Sequence, residues 1–276
     1  MKKITSIYCI IISTVFTATA QKSNTLVFPY TGITAYSISQ QDVFSFRSNE
    51  AALARLKQAA AAVYGERRFL LEATSYYTAA VALPTSKGNF GIALDYGGFK
   101  NFNEQQSGLV YARSLGSKVD AGIRFSYHGY RIPLYGNSST VSEAIGIILH
   151  FTENFHGGFH AENLFSAGLN GSVQEKLPSV YSAGFGYDAS NVFFTGIEII
   201  KEENKSVNVI IGMQYEFMKQ FFARMGFASA NSGLFAGAGL GFNIFRLDVS
   251  AVYHPQLGIS PALMLIMEIG KKQENL

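Results

Sequence analysis

Residues 119 to 127 read Val-Asp-Ala-Gly-Ile-Arg-Phe-Ser-Tyr, and they alternate between apolar and polar or small side chains without a miss. Successive side chains of a β-strand point to opposite faces, whereas a helix would scatter the same residues around its axis. The alternation therefore predicts a strand with one apolar and one polar face. Similar alternation recurs along the chain, for example over residues 90–96 and 207–217. We expect a large β structure with one face against an apolar medium.

The composition is low in charge for a water-soluble protein. The chain has 276 residues, of which 48% are hydrophobic, 14% aromatic and 15% charged. Typical soluble domains have about 25% charged residues. No apolar run reaches the ~18 to 20 residues that a membrane-spanning helix needs. We therefore expect the chain to cross a membrane as strands.

The N-terminal residues have the organisation of a secretory signal. Two lysines precede an apolar stretch over residues 4–16, and Ala18-Thr19-Ala20 forms a small-residue cleavage site. We predict a signal peptide over residues 1–20. Its removal takes away the only cysteine, Cys9, and excludes disulfides, thiol catalysis and Cys-based metal sites. It also takes two of the 22 basic residues against 19 acidic ones, so no basic field remains to attract nucleic acid.

The mature chain divides into a short leading segment and one long β unit. Residues 21–57 show no strand alternation, but Ser48 or Asn49 is a suitable N-cap for the strong helix formers that follow. A short helix is predicted near residues 49–57. We expect residues 21–57 to form an N-terminal plug, residues 58–270 to form a transmembrane β-barrel, and residues 271–276 to form a periplasmic tail.

Fourteen strands are predicted from residue 58 onward. They lie near residues 58–69, 74–84, 88–98, 104–114, 118–132, 140–151, 154–164, 178–189, 191–202, 205–217, 220–229, 233–243, 245–254 and 259–269. Segments of about ten residues, apolar outside and polar inside, are typical of outer-membrane barrels. The predicted fold class is all-β, a 14-stranded antiparallel transmembrane β-barrel with an N-terminal plug. A soluble β-sandwich is disfavoured because the polar face is poor in charge and rich in glycine.

The connections between the predicted strands form two groups. Tight turns are predicted at 117–118, 153–154, 190–191, 219–220 and 244–245, and long loops at 98–104, 133–140 and 166–178. Outer-membrane barrels have short periplasmic turns and longer extracellular loops, so both termini are expected in the periplasm. The aromatic residues predicted for the inner girdle are Tyr111, Tyr187, Tyr215 and Phe242.

Polar residues and glycines on the predicted inward face are candidates for the lumen or the plug. These candidates are Asn49, Asp95, Asp120, Arg124, His128, Glu198, Arg224, Gly237, Gly239 and Asp248. A single buried charge costs several kcal/mol, so we expect the charged residues to pair in a structural network. Lining a permeation path and contacting the plug are the alternatives.

The inward glycines allow two interpretations. Gly237 and Gly239 leave room for the plug helix, or they only relieve crowding in a strongly tilted sheet. Two glycine doublets, at residues 97–98 and 157–158, also allow two interpretations. Each doublet kinks a strand and opens a lateral gap in the wall, or it simply ends a regular run.

No pattern in the sequence points to catalysis, a metal or a cofactor. His156 and His160 would lie ~13 Å apart on a strand, too far to share one metal ion. The sequence has no HExxH, GxSxG or Walker motif, and the glycines over residues 237–241 follow strand alternation. We expect a non-enzymatic protein without metal or cofactor. An enzyme is the third-ranked class, because the residue types allow a Ser-His hydrolase but no spacing supports one.

The order of signal peptide, plug with a short helix, and fourteen strands resembles the FadL-like outer-membrane proteins. Residues 49–54, Asn-Glu-Ala-Ala-Leu-Ala, are similar to the Asn-Pro-Ala-x-Leu-Ala stretch of their N-terminal hatch, with Glu50 in place of proline. The modest length and short loops are closest to the PorV/PorQ group of type IX secretion. The last strand departs from many barrels, since Lys-Lys-Gln-Glu-Asn-Leu follows it instead of a terminal aromatic residue.

This resemblance implies a structural or docking subunit of an outer-membrane complex. Its expected partners are outer-membrane lipid and other outer-membrane or secreted proteins. The alternative is a FadL-like passive channel, whose ligand would be a small hydrophobic molecule.

Overall fold

The computed structural model describes residues 33–100, 102–132, 136–165, 168, 176–218, 220–231 and 233–270. Three predicted regions lie outside the described residues: the signal peptide over 1–20, the first part of the plug over 21–32, and the tail over 271–276.

Fourteen antiparallel strands form one closed barrel, which confirms the predicted fold class. The strands are β1 Ala59–Arg67, β2 Ser75–Leu83, β3 Asn89–Gly98, β4 Asn103–Ser114, β5 Val119–Ile132, β6 Gly136–His150, β7 Phe155–Glu162, β8 Val180–Ser190, β9 Phe193–Glu202, β10 Asn208–Met218, β11 Phe221–Ala228, β12 Gly233–Phe242, β13 Phe245–His254 and β14 Gly258–Ile269. Each strand pairs with its neighbours in the sequence, and β1 pairs with β14 to close the barrel.

Short 3₁₀ helices lie in the leading segment and between strands. They span Ser45–Arg47, Glu50–Arg55, Arg68–Leu70, Glu72–Thr74 and Ser229–Asn231. None of the helices in the described part of the chain is long and apolar enough to cross a membrane.

Several predicted boundaries differ from the structure by up to four residues, and two of them have a clear physical reason. The predicted loop over residues 133–140 is mostly strand, because β6 begins at Gly136, which pairs with Ile132 and has a φ of +82°. That left-handed conformation suits glycine. The predicted helix over 49–57 is a shorter 3₁₀ helix that ends at Arg55, because Leu56 is already extended where the chain leaves for β1.

The outer surface of the barrel is apolar along the strands. On β3, Phe90, Ile92 and Leu94 are exposed. Ala93 and Asp95, which alternate with them along the strand, are buried. Tyrosine and phenylalanine ring both ends: Tyr187, Tyr215 and Phe242 are exposed at the end with the tight turns, and Tyr77, Tyr96, Tyr127, Tyr181 and Tyr253 are exposed at the opposite end. An apolar band between two aromatic girdles is suited to a bilayer.

The barrel is expected to resist unfolding by sodium dodecyl sulfate at room temperature. Every strand has a hydrogen-bonded neighbour on both sides, so no exposed edge is available to start unfolding. An unheated sample should therefore migrate faster on a gel than a boiled one. A protein that is soluble without detergent would contradict the expectation that the apolar outer surface faces a membrane.

The glycine doublets do not open the wall. Gly97 pairs with Glu104, and Gly98 pairs with Asn103. Gly98 is the last residue of β3, so this doublet ends a regular run, as the second of the two predicted alternatives states. Gly157 and Gly158 pair with both β6 and β8 in the middle of β7, so neither alternative holds there. A side chain at Gly158 would approach the Tyr36 ring. Gly158 therefore makes room inside the barrel, whereas Gly157 lies beside the outer rings of Phe185 and Phe151.

Candidate functional site at the plug and barrel interface

Residues 33–57, called the plug below, lie inside the barrel. Ile33, Tyr36, Asn49 and Glu50 each have 0% of their surface exposed. The plug ends at the same end of the barrel as the tight turns, where β1 begins and β14 ends. Its side chains form one apolar face and one polar face, and each meets a different part of the barrel wall.

The apolar face of the plug is formed by Val43, Phe44, Phe46 and Leu53. These residues belong to one contiguous cluster of buried side chains that includes inward residues of β1–β4 and β14. The members that we call the apolar inner wall are Ala60, Ala62, Ala80, Ala82, Ala93, Val110, Ala112, Met264 and Ile266. Barrel lumens of this size are usually polar. The sequence analysis did not identify this wall.

Ion pairs fix the polar face of the plug to several strands. Arg47 Nη1 lies 2.6 Å from Asp95 on β3, and Arg55 Nε lies 2.6 Å from Asp120 on β5. Burial alone would lower the pKa of Arg47, but Asp95 outweighs it and raises that pKa, so the guanidinium stays charged. The polar face is therefore held electrostatically at two separate strands.

A third group of ion pairs is centred on Glu50. Glu50 Oε2 lies 2.9 Å from His160 Nδ1, and Oε1 lies 3.3 Å from Arg124 Nη1. Arg124 also pairs with Glu162 at 3.1 Å and donates a hydrogen bond to the Arg47 carbonyl oxygen at 3.1 Å. Burial alone would raise the pKa of Glu50, but His160 and Arg124 outweigh it and lower that pKa.

Asn49 caps the helix and ties it to the wall. Its side-chain oxygen accepts a hydrogen bond from the Ala51 backbone N–H at 3.1 Å, so it is the N-cap, one of the two predicted positions. Its amide nitrogen donates to the Phe159 carbonyl on β7 at 3.1 Å. The same side chain therefore stabilises the helix start and its position in the barrel.

The plug packs against glycines other than those predicted. A Cβ at Gly122 would lie 2.5 Å from the carbonyl carbon of Glu50, and Gly184 faces the Tyr36 ring. The surroundings of Gly237 and Gly239 fit the second of the two interpretations, relief of crowding in the sheet. The nearest atoms around Gly239 are the Phe222 ring and Asp248, and those around Gly237 are Ser250, Val249 and Arg224. Side chains and backbone of the barrel itself fill that space.

The other predicted lumen residues are buried inside the barrel but differ in what they contact. Glu198 accepts hydrogen bonds from Ser182 at 3.0 Å and from the Tyr36 hydroxyl at 3.4 Å, so it contacts the plug. Burial, with Glu198 beside it, raises the pKa of Tyr36, which keeps that hydroxyl protonated as a donor. His128 Nε2 lies 2.7 Å from the Ser142 hydroxyl of β6.

Arg224 and Asp248 form a buried ion pair between β11 and β13. Arg246 lies 2.9 Å from Asp248 and 2.7 Å from Asp42 of the plug, so this pair reaches the plug through a second arginine. Both arginines lie over the Phe222 ring, at 5.3 and 5.0 Å from its centroid. Pairing within the wall and contact with the plug, two of the predicted roles, therefore occur side by side.

Within the described residues, no group of three or more His, Cys, Asp or Glu side chains is arranged to hold a metal ion. An apolar cluster and a set of ion pairs hold the plug inside the closed wall.

Strong acid is expected to weaken the docking at Glu50. A carboxyl whose pKa is lowered in the folded state contributes stability that is complete above its ordinary value of 4.5 and is lost as the pH falls through the lowered pKa. The part of the change in distance between spin labels on the plug and on the barrel that is due to Glu50 should therefore occur only below pH 4.5. Glu50→Gln should remove this acid transition, and its persistence in that variant would assign it to another carboxyl.

Comparison with known proteins gives similarity in structure alone. No protein-family model and no characterised protein sequence matches the chain. The toluene transporter TodX of Pseudomonas putida has a TM-score of 0.57 and 10% identity, covering 85% of this chain and 95% of its own. A FadL homologue of Pseudomonas aeruginosa has a TM-score of 0.55 and 10% identity, covering 83% and 93%. Omp33 of Acinetobacter baumannii has a TM-score of 0.52 and 10% identity, covering 76% and 97%. At this identity the comparisons establish a shared barrel fold.

Proposed function

We propose that the protein is a non-enzymatic outer-membrane barrel that acts as a passive channel for small hydrophobic molecules. The observation that carries this proposal is the apolar inner wall, which the plug covers with Phe44, Phe46 and Leu53. The end with the tight turns, and with it both termini, is assigned to the periplasm. The plug then closes the lumen from the periplasmic side.

The plug also has attachments that do not use the apolar inner wall. Ion pairs and a glycine contact hold it to β5 and β7, so polar attachment is available to this fold. Each apolar side chain that a moving plug uncovered would meet water at a cost of about 25 cal/mol per Å². A hydrophobic solute that follows the wall would remove part of this cost. The wall is therefore suited to conduct such a solute when the plug shifts.

The structural neighbours support this class of function. TodX is described as a toluene transporter, and a second neighbour is described as a homologue of FadL, whereas none of the three is described as an enzyme.

The direct test is flux into proteoliposomes loaded with the purified protein. We expect faster entry of a small aromatic hydrocarbon than into empty liposomes, and the ratio of its flux to that of a sugar of similar size is the readout. Ala62→Asp should lower this ratio at least tenfold, because a carboxylate on the wall repels an apolar solute. Ala62→Val is the matched control, since it adds bulk without charge. Hydrocarbon flux equal to that of empty liposomes would refute the channel.

A second candidate function is a docking subunit of an outer-membrane complex, of the PorV/PorQ kind. The unbroken wall and the short described loops favour it, since they offer no lateral exit for a solute. A mild-detergent pull-down of the tagged protein from its own membranes separates the two functions. Stoichiometric outer-membrane or secreted proteins would support docking, and a solitary barrel with a bound apolar molecule would support the channel.

A further inference from the structure

We propose that His150 and His156 form a pH-sensitive latch, which holds the plug at neutral pH and releases it when both rings become protonated. The latch is a property of the plug and is independent of the solute. Its use as a gate rests on the proposed channel function.

The two imidazole rings meet through the same ring nitrogen. His150 Nδ1 lies 3.0 Å from His156 Nδ1, and the ring planes are inclined by 68°. The opposite nitrogen of each ring faces a carboxylate: His150 Nε2 lies 2.7 Å from Asp120, and His156 Nε2 lies 3.6 Å from Asp188. The four side chains form one polar cluster across β5, β6, β7 and β8, in which the contact between His156 and Asp188 is too long for a hydrogen bond.

Both carboxylates of this group of four side chains, Asp120 and Asp188, bind the plug. Asp120 accepts a hydrogen bond from Arg55 Nε at 2.6 Å, near the end of the plug. Asp188 accepts from the Ser37 hydroxyl at 2.6 Å, the Ile38 backbone N–H at 2.9 Å and the Ser39 hydroxyl, near its beginning. The histidine pair therefore connects the attachment points of both ends of the plug.

The Nδ1 to Nδ1 contact can hold only one proton. Asp120 accepts from His150 Nε2, so a neutral His150 has a bare Nδ1 that accepts a hydrogen bond from the Nδ1–H of His156. A second proton would place two N–H groups head to head at this distance. Both rings are buried, with 9% of the His150 side chain and 1% of the His156 side chain exposed, so water cannot separate them in place. One ring must rotate away.

The surroundings couple that rotation to the plug and limit which groups titrate. The pocket beside the pair is lined by Tyr36, Gln41 and Arg55 among others and has no free space for a water molecule, so a ring that rotates into it must displace plug side chains. The titratable groups that face the rings are Asp120, Asp188, Tyr36 and Arg55. Carboxylates ordinarily titrate near pH ~4, and tyrosine and arginine at pH ~10 or above, so histidine is the side chain that ordinarily changes charge between pH 5 and 8.

The test measures plug position directly. Spin labels on Gln41→Cys in the plug and Glu153→Cys in the turn between β6 and β7 report their separation in the full-length protein in lipid nanodiscs. We expect a single distance at pH 8 and a second, longer distance in at least half of the molecules at pH 5. His150→Gln and His156→Gln should each abolish this pH response, while their heat-modifiable migration shows that the barrel has folded.

His128→Gln is the matched control, because His128 is also buried in the lumen but bonds to Ser142 of the wall. It should keep the full pH response. One unchanged distance at both pH values in the wild type would overturn the latch, as would a pH response that survives in both latch variants. Plug movement without hydrocarbon flux would leave the latch intact and refute the channel.

Discussion

Replacing Gly122 with valine is expected to displace the plug and to raise the flux of a small apolar solute at least tenfold. A Cβ at this position would lie 2.5 Å from the carbonyl carbon of Glu50 and 2.8 Å from the backbone nitrogen of Ala51. Both are backbone atoms of the plug, so no change of side-chain rotamer relieves the overlap. Overpacking of this kind typically costs about 1–3 kcal/mol, and about 1.4 kcal/mol is a tenfold change in an equilibrium. The ratio of docked to released plug should therefore fall about tenfold or more.

The measurements are hydrocarbon flux into proteoliposomes and the plug-to-turn distance between spin labels. Gly129→Val on the same strand is the matched control. Its Cβ would have only Tyr127 side-chain atoms nearby, at 3.5 Å or more, which is ordinary contact. It should leave both measurements unchanged. A Gly122→Val protein with wild-type flux and wild-type distance would show that the plug does not close the lumen through this contact.

The strands could be predicted from sequence because most of them have one apolar and one polar face. On β5 the inward Asp120, Arg124 and His128 alternate with outward apolar residues, and a period of two is visible without any knowledge of neighbours. The strand boundaries at tight turns could be predicted for the same reason. The start of β6 was predicted too late because polar residues at its outer end resemble a loop.

The apolar inner wall could not be found in this way. In β1 the residues from Ala59 to Tyr64 are apolar on both faces, so alternation does not show which face is inward. The wall also combines β1–β4 with β14, and β14 becomes a neighbour of β1 only when the barrel closes. Its function depends on the plug that lies over it, which is a matter of tertiary packing.

The partners of the charged residues could not be predicted from the sequence either. Asp42 and Arg246 are 204 residues apart and meet only because the plug enters the lumen. The inward glycines show the same limit, since Gly122 and Gly239 occupy equivalent positions on their strands. One faces the plug backbone and the other faces a phenylalanine of the wall. Residue type predicted that space is needed, but the fold decides what fills it.

Arg124→Met is expected to destabilise the docked plug by about 3–5 kcal/mol, the usual effect of removing one partner from a buried ion pair. Arg124 has 3% of its side chain exposed and lies between Glu50 and Glu162, so its loss removes the guanidinium that both carboxylates share and leaves His160, 2.9 Å from Glu50 and 4.0 Å from Glu162, as their remaining ion-pair partner among the described residues. Adding Glu50→Gln removes one of these charges. The double variant should therefore be more stable than Arg124→Met alone, with a coupling of ~1 kcal/mol or more.

This cycle separates an electrostatic anchor from simple packing. Chemical unfolding and the plug-to-turn distance are measured for the wild type, both single variants and the double variant. The control is Lys205→Met, which removes the partner of Glu202 at 2.8 Å in a more exposed pair and should cost less than about 1 kcal/mol. If the two substitutions at Arg124 and Glu50 were additive, methionine would act only by filling the space differently. A large coupling instead means that charge neutralisation inside the lumen determines whether the plug stays docked, which is the property that a proton-operated latch beside it requires.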